Sequence, residues 1–513
     1  MKTRKKPERP VPWWAAPAIL SICVLVFYWV PLTSPAASIQ WDAADLHYPI
    51  ERYFSDHVRA GSLPHWTPYV FAGYPFLAYP EVAAWYAPHW PFFLAGVTPR
   101  AIEGEVALGC LAAAWGAYFF FAGVVRSRAA ALIGAIAYAF SGFFAGESSH
   151  VGMVTAAAWL PWMLAAYRPA LEGRAARFAA LGATAGGLML LAGHFQTAIY
   201  GFLALGVYAV ADLVAERRDW RQVAAVLAGM TAGALALGAV QILPGLELTA
   251  ESTRAGVSYS DATEGVLHPA ALAMPDALGA ISGKYRGPGD QTQYYFYGGL
   301  LLLPLAALGA ARVGARVPAA AMLVAAVWYM AGPAGGLYRL GALIPGLHKV
   351  RAPVQGWFVA AFALAMMAAA GAAWICERWR HPAVPVVLAA VLFADLFYWN
   401  SAQNPLAYAR ASFEEAYGAR EDLARTQVAG TQPPLTRFEE PRNSLPIGPL
   451  NHALDLRLET TSGYFALEPR RVAEYNDATM RNPKLRDGMN TSRFLNFQTG
   501  TMEANAGAPD RFH

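Results

Sequence analysis

The feature that most constrains this chain is the recurrence of apolar runs long enough to cross a hydrocarbon core. Such runs lie near 13–33, 101–125, 129–146, 151–168, 175–193, 195–213, 222–244, 296–312, 317–333, 354–375 and 382–400. A spanning helix needs about twenty apolar residues, because each residue adds about 1.5 Å toward a core roughly 30 Å thick. Inside lipid the backbone must satisfy its own polar groups, so runs of this kind fold as helices. The expected fold is therefore an all-α polytopic membrane protein with about eleven transmembrane helices. Charge is scarce, at 14% of 513 residues against 56% hydrophobic. Several runs, such as "FAALGATAGGLMLLAG", are rich in Ala and Gly, which lets helix backbones approach in lipid.

Basic residues orient the bundle, since Lys and Arg concentrate in cytoplasmic loops. With the amino terminus inside, alternate turns carry Arg126 and Arg128; Arg168, Arg174 and Arg177; Arg217, Arg218 and Arg221; Arg312 and Arg316; and Arg378 and Arg380. The opposing short turns "GESSHVG" and "AGHFQ" contain neither Lys nor Arg. A bacterial inner-membrane protein with a cytoplasmic amino terminus and an extracytoplasmic tail is the expectation. The opening "MKTRKKPERP" before an apolar run resembles a secretory signal, with "SPAAS" as a cleavage site, but that run can span and many spans follow. An uncleaved first helix is the simpler account. The net charge of +4 is too small and dispersed for nucleic acid. Cys23, Cys110 and Cys376 lie in apolar segments without metal-ligand spacing, which disfavours a disulfide or a structural zinc.

The outer face then receives loops at 34–100, 246–295 and 334–353, and a tail from Ser401. Loops this long usually carry function. "LHYPIERYFSDHVRAG" reads as an amphipathic interfacial helix with its aromatics toward lipid. The tail, 401–513, reads as a small α/β or β-rich periplasmic domain behind a 1–400 transmembrane domain, with "HALDLRLETTSGYFAL" as short β-like runs. Its abrupt end at "GAPDRFH" reads as a truncated or atypical terminus. No Walker, HExxH or nucleophile-elbow pattern is present.

"WDAADLHYPIERYFSDHVRAGSLPHWTPYVFAGYP" resembles the first extracytoplasmic loop of the YfhO-like bacterial membrane protein family, within the GT-C class of glycosyltransferases. That family shows an acidic residue, a "YP" several residues on, and then a stretch matched here by Gly61, Leu63, Pro64, Trp66, Pro68, Tyr69, Gly73 and Pro75. "AWLPWML", "AGHFQTAIYGFLAL", "ESTRAG", "HPAALAMPDALG", "YGGLLLLPLAALG", "HKVRAPVQGWF" and "SGYFALEPRRVAEY" are similar to successive landmarks downstream.

The resemblance implies transfer of a sugar from a polyprenyl-phosphate donor to an extracytoplasmic glycan, lipid or protein acceptor. Asp42 then matches the catalytic acid, which would take the acceptor's proton or position the acceptor. The family form has glycine before this acid, where this chain has Trp41. Asp45, one helical turn on, competes for the same role or assists. The bland alternative is that either aspartate caps a helix beginning near Leu46. Lys349 and Arg351 would hold the donor phosphate, or else snorkel toward lipid headgroups. Arg254 is a weaker candidate for the same duty. His47, Glu81, Tyr86, His150, His194 and Gln196 are further substrate-binding candidates on the same predicted face. No cofactor is required, although Asp42 and Asp45 could share a divalent metal. The competing classes are a secondary transporter or flippase, for which Asp395 would be the mid-membrane acid, and a noncatalytic factor for surface-polysaccharide assembly.

Overall fold

The computed structural model describes residues 12, 14–172, 175–256, 265–268, 275–276, 278–312, 316–341, 343, 350–401, 404, 406, 408–423, 436–439, 450–496 and 501–507. Among the described residues six helices are long and apolar enough to cross a membrane: Pro99–Val125, Arg128–Ser149, Phe195–Ala215, Trp220–Glu251, Pro353–Arg378 and Ala383–Asn400. Shorter apolar helices run over Ala15–Phe27, Ala176–Leu191 and Arg316–Met330. The chain is thus a multi-pass membrane protein.

Hydropathy predicts about eleven continuous spans, and the difference has local causes. The 151–168 run divides into Val151–Ala157 and Leu160–Leu171, because Pro161 cannot donate to a continuous helical ladder and instead sits in the first turn of a new helix. The 296–312 run is helical only over Leu302–Gly309. The first run ends at Phe27 and resumes as the five-residue helix Trp29–Thr33.

The Trp357–Arg378 helix lies at the centre of the bundle, with nearly every residue through Ala373 buried. It meets the Leu302–Gly309 helix at Gly309 and Gly371, where a side chain on either glycine would overlap the other helix's backbone. Small residues therefore set this crossing, as their abundance in the apolar runs foreshadows.

The two ends of the bundle differ chemically. At one end, Arg126, Arg168 and Arg312 with Glu216 and Glu377 line a cavity of about 640 Å³. There Asp212 is fully buried between Arg168 at 3.3 Å and Arg218 at 2.8 Å. The opposite end carries the first loop and the tail.

The first loop folds back into the protein. Its helix, Tyr48–Arg59, buries Tyr53 and Phe54 rather than turning them to lipid. Phe54 packs 5.0 Å from Phe93 and Tyr53 packs 4.9 Å from Phe76, ring centre to ring centre. The expected lipid-facing aromatic surface is instead an internal aromatic core, because the rest of the loop supplies apolar partners for it.

In the tail, the run read as β-like forms the short helix Ala453–Leu456 followed by irregular chain. That chain is laid into the first loop. Phe71 N donates to Ser462 O, Ala72 N to Thr460 O and Thr460 N to Tyr69 O. Phe465 stacks on Tyr79 at 4.6 Å and meets Tyr74 edge-on at 4.8 Å. Beyond it lies a small mixed sheet of β1 (Arg437–Glu439), β2 (Thr491–Asn496) and β3 (Thr501–Ala504), in which β1 pairs parallel and β3 antiparallel to β2. The tail also holds helices Phe413–Leu423, whose Phe413 meets Tyr48 edge-on at 5.3 Å, and Arg470–Arg481.

Candidate functional site

Asp42 follows Trp41, whose φ of 51° lies in the left-handed region. Glycine enters that region freely, whereas a bulky side chain is held there only by its surroundings. Past this bend the chain winds through one wide π-type turn, Ala43–His47, before the Tyr48–Arg59 helix. Such turns recur at functional sites. Asp42 makes no capping hydrogen bond to the turn it precedes, so the capping role open to it in the sequence is not used.

Its carboxylate is instead gripped from two sides. Oδ1 accepts from the Tyr464 hydroxyl at 2.9 Å, and Oδ2 lies 3.4 Å from His150 Nε2. The other nitrogen of that ring, Nδ1, lies 2.8 Å from Glu147 Oε2. Asp42 retains about a quarter of its side-chain exposure, 26%, and His150 21%, while Glu147 has 2%, so the chain of groups opens outward at the aspartate and histidine and is closed at the glutamate. Burial opposes charge on His150, but Glu147 and then Asp42 outweigh it and raise the ring to about 10. His150 is therefore an imidazolium clamped between two carboxylates at neutral pH. Burial and Asp42 together push the Tyr464 phenol upward, which keeps it a donor.

Glu81 joins this group from the first loop. Burial raises its carboxyl, His47 opposes the rise and Asp42 adds to it, with Tyr79 and His150 also lowering it. His194 lies against the same residues: a side chain on Gly193 would meet Pro80 O at 2.9 Å and Glu81 Cα at 3.1 Å. Its Nδ1 accepts from Thr197 N at 3.2 Å, which caps the Phe195–Ala215 helix. Burial, with His150, His47 and Arg254 nearby, pushes the ring down to about 3, so it stays neutral.

Two guanidiniums complete the site. Arg254 is lowered first by burial and then by Arg351, a like charge close enough to matter, while Glu81 favours its charge. Arg254 Nε donates to Ala466 O at 3.0 Å, which aims the head group across the tail segment. Arg351 is exposed, and its backbone is held by Gln196, whose Oε1 accepts from Arg351 N at 3.1 Å. Gln196 also donates to Arg351 O and Gln355 Oε1. Gln196 thus positions the 351–355 segment. Below it, Tyr200, Ala204, Met322, Tyr329, Leu340 and Val359 line an apolar groove of about 300 Å³.

The remaining candidates serve elsewhere. Asp45 turns to the tail, with Oδ1 accepting from Leu450 N at 3.1 Å and its carbonyl accepting from the Asn451 amide side chain at 2.9 Å. His47 is buried, with Nδ1 3.5 Å from Glu51. Tyr86 is buried with its hydroxyl accepting from Trp159 Nε1 at 2.9 Å, its ring edge-on to His89. Lys349 lies outside the described residues. Among the described residues the group with metal-ligand spacing is Glu51, His89 and Glu105, and neither Asp42 nor Asp45 belongs to it. Asp395 is occupied by the Tyr297 hydroxyl at 2.8 Å and by Leu300 N at 2.7 Å, so it holds the turn before the Leu302–Gly309 helix.

Glu147 and Tyr464 are the members that sequence reasoning passed over. Glu147 lies in the outward turn "GESSHVG" three residues before His150, and Tyr464 in "SGYFALEPRR", a stretch already marked as a landmark.

No family model matches the chain, and no curated protein matches it in sequence. Solved structures do match its fold. It is similar to the arabinofuranosyltransferase AftD from Mycobacteria, with 17% identity, a TM-score of 0.52, 85% of this chain covered and 31% of that one. It is similar to the Archaeoglobus fulgidus oligosaccharyltransferase in its apo form, with 12% identity, a TM-score of 0.53, and 89% and 65% covered. It is also similar to ArnT from Cupriavidus metallidurans bound to undecaprenyl phosphate, with 13% identity, a TM-score of 0.52, and 92% and 89% covered. The chain therefore spans about a third of AftD and just under two thirds of the oligosaccharyltransferase. The likeness is one of fold, shared with the AftD, oligosaccharyltransferase and ArnT structures.

Proposed function

We propose that this protein is a membrane glycosyltransferase of the YfhO-like kind, moving a sugar from a polyprenyl-phosphate donor to an acceptor at the extracytoplasmic face. The observation that carries the reading is the convergence of Asp42, anchored by Tyr464 and His150, with Glu81, which also neighbours Arg254, and Arg254 in turn has Arg351 beside it. The Arg254 charge, disfavoured by burial and by Arg351, is relieved by an anion, and a planar guanidinium suits a phosphate.

In the proposed reaction the acceptor hydroxyl hydrogen-bonds to the open side of the Asp42 carboxylate, which takes its proton as the oxygen attacks the anomeric carbon. The bond from that carbon to the phosphate oxygen breaks, and the departing polyprenyl phosphate gains charge that Arg254 and Arg351 stabilise. One displacement of this kind inverts the anomeric centre. Tyr464 and His150 fix the orientation of Asp42, and Glu147 keeps the His150 charge in place. The apolar groove that starts at Tyr200 would take the prenyl chain. Tyr200 donates to Arg351 O at 3.4 Å, so the groove opens beside the proposed phosphate site.

The experiment is turnover of polyprenyl-phosphate sugars by the protein reconstituted in lipid, with release of polyprenyl phosphate as the readout. Wild type should consume one donor class, and Asp42→Asn at equal protein level should not. Equal turnover in both would remove Asp42 as the reactive carboxylate.

A further inference from the structure

A second cluster of ionisable side chains lies beneath the first loop, and the proposed reaction does not use it. Glu51 comes from the Tyr48–Arg59 helix, His89 from the short 3₁₀ turn Ala87–His89, and Glu105 from the second turn of the Pro99–Val125 span. One ligand atom from each lies within 4.8 Å of the others. All three are buried, at 1%, 1% and 0% exposure. His89 Nδ1 stands 3.3 Å from Glu105 Oε2. Yet neither ring nitrogen of His89, and none of the four carboxylate oxygens, makes a hydrogen bond within the protein. Among the described residues, no lysine or arginine pairs with either carboxylate.

Two carboxylates facing each other in an apolar interior are costly unless something cationic lies between them. A dication meets that need, and His89 adds a neutral nitrogen ligand. We propose that Glu51, His89 and Glu105 bind one borderline divalent transition ion, Zn2+ or Mn2+, in a structural site separate from Asp42. Carboxylate and imidazole together suit such ions. Bonds of about 2.1 Å in a tetrahedral site place ligand atoms roughly 3.4 Å apart, which the His89–Glu105 separation already approaches. His47, with Nδ1 3.5 Å from Glu51 Oε1, stands where an outer partner would orient that ligand. The ion would tie the first-loop helix to a membrane span. Because Asp42 lies just ahead of that helix, the site is a positioning device for the reactive loop.

The test is metal content of the purified full chain after loading with Zn2+ or Mn2+ and exhaustive dialysis. About one equivalent of one of these ions should remain in wild type and in Asp42→Asn, and His89→Gln and Glu105→Gln should each lose at least tenfold in affinity. Chelation of wild type should lower its Tm by several degrees, and the same ion should restore it. X-ray absorption on the loaded wild type should give an oxygen and nitrogen shell containing a single imidazole, and this reading needs no folded variant. Wild type retaining neither ion would overturn the site, as would metal that persists undiminished in folded His89→Gln and Glu105→Gln or a shell lacking imidazole. In the first case a carboxyl pair sharing one proton would explain the cluster instead.

Discussion

The Tyr464 hydroxyl donates to Asp42 Oδ1 at 2.9 Å across 422 positions of sequence. The tail therefore completes the candidate site instead of standing apart from it. Removing the donor should leave the fold intact, since the ring packs independently of the hydroxyl, while freeing one face of the carboxylate. Tyr464→Phe is expected to lower turnover about fivefold, consistent with a loss near 1 kcal/mol for one hydrogen bond. Asp42→Asn is expected to cost about 10²- to 10⁴-fold, the range for a group that moves a proton. Donor-consumption rates in reconstituted membranes check both, and a Tyr464→Phe loss as deep as that of Asp42→Asn would assign the phenol a larger role.

Asp45 separates from Asp42 in its expected effect. Asp45→Ala leaves the half-buried Leu450 amide without its acceptor, a loss of about 1 kcal/mol. The outcome is faster amide exchange and easier proteolysis over residues 450–469, together with a lower Tm. Exchange mass spectrometry on wild type and variant measures this, and unchanged protection there would contradict the anchoring role.

Much of this arrangement was legible in the sequence, and the remainder has identifiable physical reasons for being hidden. Among the described residues six of the apolar runs fall in helices long enough to span, even though Pro244 lies inside one and another is broken near Phe140; Pro161 and the short Leu302–Gly309 helix show where composition and length part company. The turns "GESSHVG" and "AGHFQ", which hold neither Lys nor Arg, did lead to His150 and His194, which lie against the same residues as Asp42. Tyr464 could not be assigned that way, because its partner is set by how the tail lies over the first loop. Residue type alone also misled. Gln196 and Tyr86 have polar groups suited to a sugar, but the backbone of Arg351 and the indole of Trp159 take them up.

Charge at the two histidines should shape the pH dependence in opposite senses. His150 is raised to about 10, so its contribution to stability is complete below its unfolded value of about 6.5 and fades as pH climbs through 10. His194 is held down to about 3, so acidification below about 6.5 favours the unfolded chain, which takes up a proton the folded chain refuses. Thermal melts in detergent from pH 5 to pH 10 should show a fall on both sides. His150→Gln should flatten the alkaline limb and His194→Gln the acid one, and a limb that survives its substitution would belong to another group.

The arginine pair predicts a change in donor affinity with little effect on folding. Arg351 is the cleaner probe, because its side chain is exposed while Arg254 also donates to Ala466 O. Arg351→Ala is expected to weaken polyprenyl-phosphate binding about 10- to 100-fold, the worth of about 1.5–3 kcal/mol for a hydrogen bond to a charged group. Arg351→Lys should recover part of it, since lysine keeps the charge but not the planar fork. Direct binding of the lipid phosphate to nanodisc-embedded protein gives the answer, and equal affinity in wild type and Arg351→Ala would exclude this residue from the phosphate site.

Gly193 tests whether the site depends on close approach of two chain segments. Its φ of 98° is one that side chains rarely adopt, and a methyl group there would lie 2.9 Å from Pro80 O and 3.1 Å from Glu81 Cα. Both neighbours are backbone atoms, so neither can rotate out of the way. Gly193→Ala should therefore cost about 1–3 kcal/mol of stability from backbone strain and push the 80–81 segment from His194. Glu81 stands between the Asp42 group and Arg254, so the same displacement should lower turnover even at temperatures where the variant is fully folded. Activity at 15 °C alongside the melting curve separates the two effects. Wild-type turnover in a variant with lowered Tm would mean that the close approach of Gly193 to Pro80 and Glu81 supports the fold without serving the reaction.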